Sequence, residues 1–540
     1  MEKQDNSFTF ATNFLKVIKM NKLKLACLTA AIASSSASFA GGYLTNTNQN
    51  VAYNRMMSRE ASIGIDGVYY NPAGVVFMGD GHHLSLNWQL AYQDRLIKND
   101  YSLFNYNAKN PTTPREFKGT AFAPIVPSFQ YAYNKGRWSF QGNFALTGGG
   151  GKCTFDNGLG SFERVVANIG LLGNSLAPYM NSILPVNQNV PNPATGKAGG
   201  YMYSYDSYMH GRQYYFGLSF GAAYKVNDHL AVSLGLRGVY ATCNYYGYVR
   251  DIAFVGAGGN KLPLSQIVDK NDARSADIEL NTNQSGIGFT PIISVDYKTE
   301  HWNFAAKYEL KTRLRLKNQG TVISPVSKLN DVATNLAAYG VPVQALQAIA
   351  PSINEAKNNI NELIAEYDED QNKEVVGDIP ALLTLGVGYK PIDDLRINVG
   401  FHWFDDKKST TSHFYNDYEG NRVKVKRHEK LDRGTIEVTA GAEYDLNKKL
   451  TVSGGWQRTS YGLTEDYMED KSFVVSSNTV AVGGVVHLNK KMDLNVAYFH
   501  TFYEHMKTSE NVNLGASTIK YNSDYTRNNN VFAVGLDINF

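Results

Sequence analysis

The sequence is poor in charge, in cysteine and in long apolar runs. Asp, Glu, Lys and Arg make up 19% of its 540 residues, against about 25% in ordinary soluble domains. The formal charge of +3 gives no argument for a nucleic-acid partner. Three cysteines exclude a disulfide scaffold. Beyond the first 40 residues no apolar run approaches the roughly 20 residues of a spanning helix, which excludes a helical membrane bundle. The eleven His residues are scattered, and neither a serine elbow nor a nucleotide-binding motif is found. No catalytic residues, metal ligands or cofactor are therefore expected.

What is present is aromatic residues, 12% with 35 Tyr, and 48 Gly. That mixture suits strands and turns. The chain finishes "NNVFAVGLDINF", with Phe532, Val534, Leu536, Ile538 and Phe540 on alternate positions. A strand points alternate side chains to opposite faces, so one face here is apolar and the other small or polar. Fourteen such runs occur: 83–92, 122–133, 137–147, 214–225, 229–248, 284–298, 301–318, 379–390, 394–404, 434–445, 449–460, 478–488, 492–506 and 530–540. The number is even, as a closed bacterial barrel with both termini on one side requires.

The connections are sorted by length. Those after even-numbered runs are a few residues long, such as "NKG" at 134–136 and "NKK" at 489–491; those after odd-numbered runs are long, such as 148–213 and 319–378. Short turns at one end and long loops at the other describe an outer-membrane barrel. Five short turns follow a Tyr: Tyr133, Tyr224, Tyr297, Tyr389 and Tyr444. Tyr has an apolar body and a polar tip, so such a ring marks the membrane–water boundary. The expectation is an all-β fold: a 14-stranded antiparallel transmembrane β-barrel in the outer membrane of a Gram-negative bacterium. It is expected to be monomeric and to touch outer-membrane lipid.

The N-terminus reads as an export signal preceded by an extension, with the start at Met20. Lys22 and Lys24 precede the apolar stretch Leu25–Ala33, and Ser38-x-Ala40 precedes Gly41. Residues 1–40 are expected to be removed after Ala40. Whether Cys153 and Cys243 then pair stays open. The last strand must close against the first, because lipid satisfies no open edge. Its terminal Phe540 resembles the signal by which barrel-assembly machinery recognises its clients.

Between the signal and the first run lies "GGYLTNTNQNVAYNRMMSREASIGIDGVYYNPAGVVFM", residues 41–78. With "GGYLTN", Asp66 and then Asn71, Pro72, Ala73 and Gly74, it resembles the N-terminal plug of the long-chain fatty-acid outer-membrane transporters, the FadL/TodX family. The hairpins at 378–404 and 440–457 resemble that family too. The stretch between "NTNQN" and Asp66 lacks the usual glycine-rich pattern, and the loops at 148–213 and 319–378 are enlarged. The resemblance implies a plug or hatch at 41–80 inside a barrel at 81–540. It also implies passive uptake of a hydrophobic small molecule, most simply a long-chain fatty acid, with loop capture, plug movement and a kinked third strand that opens a side exit. Gly148, Gly149, Gly150 and Gly151 are the kink candidates; as residues alone they read equally as a loop start.

Two loops carry helical apolar stripes, making the extracellular loops partly helical. At 160–185 the stripe runs from Phe162 to Ile183. At 352–367 it includes Ile353, Ile360, Leu363 and Ile364, either gathering hydrophobic ligands or packing the loops together. The seventh run places Lys307, Glu309, Lys311, Arg313, Arg315 and Lys317 on the face opposite its apolar set. That ladder is expected to face the lumen or lie above the membrane. There Lys307, Lys311, Arg313 and Arg315 would hold a carboxylate or pair with inward acids such as Glu437 and Glu443. Two other classes remain: an adhesin or receptor built on the loops, which loop deletion would reveal, and a barrel enzyme, which lipid or peptide turnover would reveal.

Overall fold

A computed structural model describes residues 46–514 and 517–540. The expected export signal and Gly41 lie outside the described residues. Fourteen strands form the wall: β1 Gly81–Asn99, β2 Arg115–Lys135, β3 Trp138–Phe155, β4 Met202–Lys225, β5 Leu230–Val255, β6 Ile278–Lys298, β7 Trp302–Glu309, β8 Leu382–Ile392, β9 Leu395–Phe404, β10 Ile436–Asn447, β11 Leu450–Ser460, β12 Ser477–Asn489, β13 Met492–Tyr503 and β14 Ser517–Asn539. Each pairs antiparallel with the next. β14 pairs with β1 in an unbroken seam from Asn539–His83 to Ser523–Asn99. The alternation that runs to the end of the sequence is that seam.

The barrel is apolar outside and polar inside over its lower half. Leu86, Trp88, Phe140, Leu234, Phe289 and Phe532 are exposed on the outer face, while Ser85, Gln89, Gln130, Asn143, Thr439 and Gln457 are buried inside. A closed barrel with this belt presents it to lipid. Tyr297, Tyr389 and Tyr444 are exposed at the short-turn end. Tyr133 and Tyr224 are half-buried there, against His82 and Trp138 respectively.

Towards the long-loop end the pattern inverts. Phe117 and Leu280 point in, whereas Lys118 and Glu279 point out. Above the lipid the outside is water and the inside is the apolar core of a loop cap, so the same alternation carries opposite polarity. Several strands accordingly run past the apolar–polar signature that locates them: β3 continues to Phe155, and β4 begins at Met202.

Residues 46–80 occupy the lumen, with short helices α1 (Val51–Asn54) and α2 (Gly67–Tyr70). They seat on inward glycines. A Cβ at Gly441 or Gly455 would overlap the Met56 carbonyl oxygen, so only glycine admits the plug backbone this close. The cap is built on helices α3 (Gly160–Ser175) and α4 (Val343–Ile364). One buried cluster joins both helices to the upper strands.

Candidate functional site

The plug is tied to the wall by charge on one side and by neutral hydrogen bonds on the other. Arg55 reaches Glu443 of β10 at 2.7 Å, and Arg59 reaches it at 3.5 Å. Asp66 holds Arg59 from within the plug, at 2.8 Å. His402 of β9 stands between plug Glu60 (3.0 Å) and Glu437 (2.8 Å). On the opposite wall Asn50 donates to Ser85 and Gln130. The "NPAG" element is a wall anchor: Asn71 Nδ2 donates to Asp296 at 2.5 Å, Ala73 N to Ser294 Oγ at 3.0 Å and Gln141 Nε2 to the Pro72 carbonyl at 2.8 Å. Gly74 N donates back to the Asn71 side chain at 3.3 Å.

The wall is interrupted between β2 and β3. Their ladder runs from Lys135–Trp138 to Phe129–Phe144, then resumes at Ala121–Cys153 with a shifted register. β2 carries Pro124 and Pro127 in the interval, and proline has no N–H to give a ladder. On its other edge β3 bulges against β4 between Leu146 and Gly148 and between Gly149 and Gly151. Gly149 and Gly151 adopt φ of +74° and +94°, a region that glycine enters without strain. Released backbone oxygens need donors, and Asn46 of the plug supplies them. Its N donates to Thr147 O, and its Nδ2 to Leu146 O and Gly149 O, each at 3.0 Å. Asn46 thus ties the plug to the bulged stretch of the third strand.

A cavity of about 200 Å³ lies beside this stretch, lined by Asn46, Gly149, Gly151, Arg95, Arg527 and Phe473 among others. Its wall carries five Lys or Arg (Arg95, Lys152, Arg427, Lys471, Arg527) against two Glu, Glu366 and Glu469. Arg95 and Arg527 are cross-strand partners in the seam. Gln93 Oε1 accepts from both, at 3.2 Å and 2.8 Å, and both guanidinium groups lie over the Phe473 ring, 6.0 and 5.9 Å from its centre. Like charges directly opposite raise each other's energy. An anion placed beside them relieves that cost and gains charge-assisted hydrogen bonds.

A second cavity, about 310 Å³, lies on the loop side. It has the opposite balance: Glu362, Glu465, Asp466, Glu469, Asp470 and Glu510 against Arg164, Lys430 and Lys471. His413, Glu469 and Lys471 line both cavities. Burial lowers the pKa of His413. Burial by itself would raise that of Glu469, but Arg427, Lys471 and Lys430 hold it below the usual range.

No family model matches the sequence, and no curated protein matches it. Solved structures do. A Pseudomonas aeruginosa FadL homologue superposes with a TM-score of 0.59 at 13% identity, over 93% of this chain and all of that one. A deletion mutant of TodX, described as a monoaromatic hydrocarbon channel, gives 0.51 at 15% identity, over 91% of this chain and all of that one. The chain shares their fold.

Within that fold only the lower part of the basic ladder on β7 faces the lumen. The strand stops at Glu309, and the alternation changes phase at Leu310–Lys311. Thr312, Leu314 and Leu316 turn in, and Arg313, Arg315 and Lys317 turn out. Above the lipid the cap core takes the leucines and water takes the charges. Lys307 does face the lumen, but it is held by Glu309 at 2.7 Å and donates to Tyr69 O at 2.8 Å. Lys311 and Arg315 approach Asp378, at 3.6 and 2.8 Å. None of Lys307, Lys311, Arg313 and Arg315 lines either cavity. Glu437 and Glu443 take plug and wall partners instead of the ladder. Ile353, Ile360, Leu363 and Ile364 are buried in the cap core, and Leu363 also lines the second cavity. The apolar cavity beside Ile353 holds only about 50 Å³. Cys153 and Cys243 are buried and unbonded.

Reading the sequence missed Arg95, Arg527, Phe473 and Asn46. The two prolines inside an alternating run were an available signal for a ladder break. No local pattern announces that Arg95 and Arg527 meet.

Proposed function

We propose that the protein is an outer-membrane channel for passive uptake of hydrophobic small molecules with an acidic end, most simply long-chain fatty acids. The observation that carries this reading is the inner cavity: a partly apolar chamber with paired arginines on one wall and the interrupted β2–β3 ladder on the other. The acidic group rests on Arg95 and Arg527. The apolar part leaves sideways into lipid between β2 and β3, past Gly148–Gly151. A hydrophobic solute has no reason to cross a watery periplasmic exit when a lipid one adjoins its site. The plug shifts by exchanging the neutral bonds of Asn46–Asn50, while its charged contacts stay in place. The leader is removed after Ala40, and N-terminal sequencing of the exported protein returns Gly41.

The deciding experiment compares a long-chain carboxylate with a neutral hydrophobe of similar length. A monoaromatic hydrocarbon serves as a further neutral probe, in view of the TodX likeness. Replacing Arg95 and Arg527 with Gln preserves polarity and removes charge. Charged hydrogen bonds contribute about 1.5–3 kcal/mol each, so carboxylate uptake falls by at least about tenfold under subsaturating conditions while neutral uptake changes little. Equal effects on both compounds overturn the acidic specificity; absence of uptake of either compound by the unaltered protein overturns the transport reading.

A further inference from the structure

The two cavities share His413, Glu469 and Lys471, and one stretch of chain supplies residues to both. Residues 461–476, between β11 and β12, supply Glu465, Asp466, Met468 and Asp470 to the outer cavity. They supply Tyr461, Ser472, Phe473 and Val474 to the inner one, and Glu469 and Lys471 to both. We propose that this strap is the inlet gate of the channel, with Phe473 as its bolt; the proposal deepens the transport reading and rests on it.

Three observations lead there. The first is how the strap is held. Its ends are pinned by backbone bonds, Asp432 N to Gly462 O at 3.0 Å and Glu504 N to Ser476 O at 2.8 Å. Between them, the backbone–backbone bonds among the described residues are turns internal to the strap, such as Tyr467 N to Thr464 O and Ser472 N to Glu469 O. The ties to its surroundings involve side chains: Ser161 N donates to Asp470 at 2.6 Å, Ser509 N to Glu465 at 2.8 Å and Lys471 Nζ to Leu363 O at 3.4 Å. Arg427 also donates to the Tyr467 and Ser472 carbonyls, and Tyr467, Met468, Phe473 and Val475 pack in the cap core, so the strap moves by withdrawing these side chains and not by breaking a strand ladder.

The second is the place of Phe473. Its ring is buried and lies against both Arg95 and Arg527. The apolar part of a ligand whose head group binds those guanidiniums must pass close to that ring. The bolt and the ligand therefore compete for one place.

The third is the reversal of charge across the strap. The outer cavity carries six carboxylates against three cations and the inner one five cations against two carboxylates, with Glu469 and Lys471 common to both, so an anionic head group is repelled on the outer side and attracted on the inner. Moving the strap carries it from the first field to the second. Closing the strap behind it prevents return, in the manner of a loop that gates access to a site.

The test locks the strap. Ser161→Cys with Asp470→Cys, in a Cys153→Ser background, places thiols where the Asp470 side chain meets Ser161. Uptake of a long-chain carboxylate and of a neutral hydrophobe is measured in the oxidised and reduced states, with the cross-link confirmed by mass and the barrel by its heat-dependent electrophoretic shift. The oxidised form is expected to lose uptake of both and to regain it on reduction. Cross-linked protein that transports as fast as its reduced form overturns the gate, while leaving the transport reading intact. Should the unaltered protein transport neither compound, the transport reading fails and the gate with it. Independently, Phe473→Ala removes the bolt without a lock and is expected to speed uptake of both compounds; unchanged or slower uptake in a folded variant overturns the assignment of Phe473.

Discussion

Arg55 of the plug and Glu443 of β10 form an ion pair at 2.7 Å, with both side chains nine-tenths or more buried. Glu443 also takes Arg59 at 3.5 Å and Arg396 at 2.7 Å. One carboxylate thus neutralises guanidinium groups from the plug and from the wall. Removing one partner of a buried pair costs about 3–5 kcal/mol, because the other charge stays buried and uncompensated. Glu443→Gln is expected to loosen the plug while leaving the barrel closed, which planar-bilayer recording reads as larger or more frequent openings. Wild-type conductance would show that the plug is held elsewhere.

The bulge of β3 against β4 depends on the backbone of Gly149. A Cβ there would meet Gln213 O at 2.7 Å, and the φ of +74° is unfavourable for a side chain. Strain of this kind costs about 1–3 kcal/mol. Gly149→Val is expected to shift the bulge of β3 and reduce uptake of hydrophobic compounds, with the heat-dependent mobility of the barrel unchanged. Full uptake in a folded variant would argue that cargo leaves by another route.

The cap has its own buried pair. Arg115 reaches Glu163 of α3 at 2.8 Å, and Glu163 also accepts from Asn107 at 2.8 Å and Tyr203 at 3.0 Å. Arg115→Met leaves that carboxylate buried without its cation, again a loss of about 3–5 kcal/mol. Limited proteolysis should then cut within 157–200 faster than in the parent, and adding Glu163→Gln should restore part of the resistance. Equal proteolysis rates would mean that apolar packing alone holds α3.

Asp406, just beyond β9, is buried while its Oδ2 accepts from Thr435 N at 2.8 Å. Burial pushes its carboxyl up to about 7, against the pull of that hydrogen bond. An unfolded Asp titrates near 4, so the native state binds the extra proton between about pH 4 and pH 7. Stability contributed at this site is greatest below that window, falls as pH rises through it and is level above. Asp406→Asn retains an acceptor and removes the titration. The thermal midpoint in detergent should therefore drop from pH 4 to pH 7 more steeply in the parent than in the variant. Parallel profiles would exclude Asp406 as the source.

The fourteen strands, the sorting of loops and the tyrosines at the turn end were legible in the sequence. Lipid constrains each outward residue singly, so the constraint repeats every second position and survives without any knowledge of partners. The plug motif was visible as a departure from that alternation. The β7 ladder was read on an unbroken alternation, but the strand ends at Glu309 and the phase slips at Leu310–Lys311, so that Leu314 turns into the cap core and Arg313 out to water. Register and closure decided the rest. Arg95 and Arg527 lie near opposite ends of the chain and become neighbours only because β14 closes on β1 in one register. Phe473 reaches them only because the 461–476 strap packs against that seam. A constraint imposed by lipid is local and can be read residue by residue, whereas a site assembled from distant strands, plug and loop exists only once the barrel has closed.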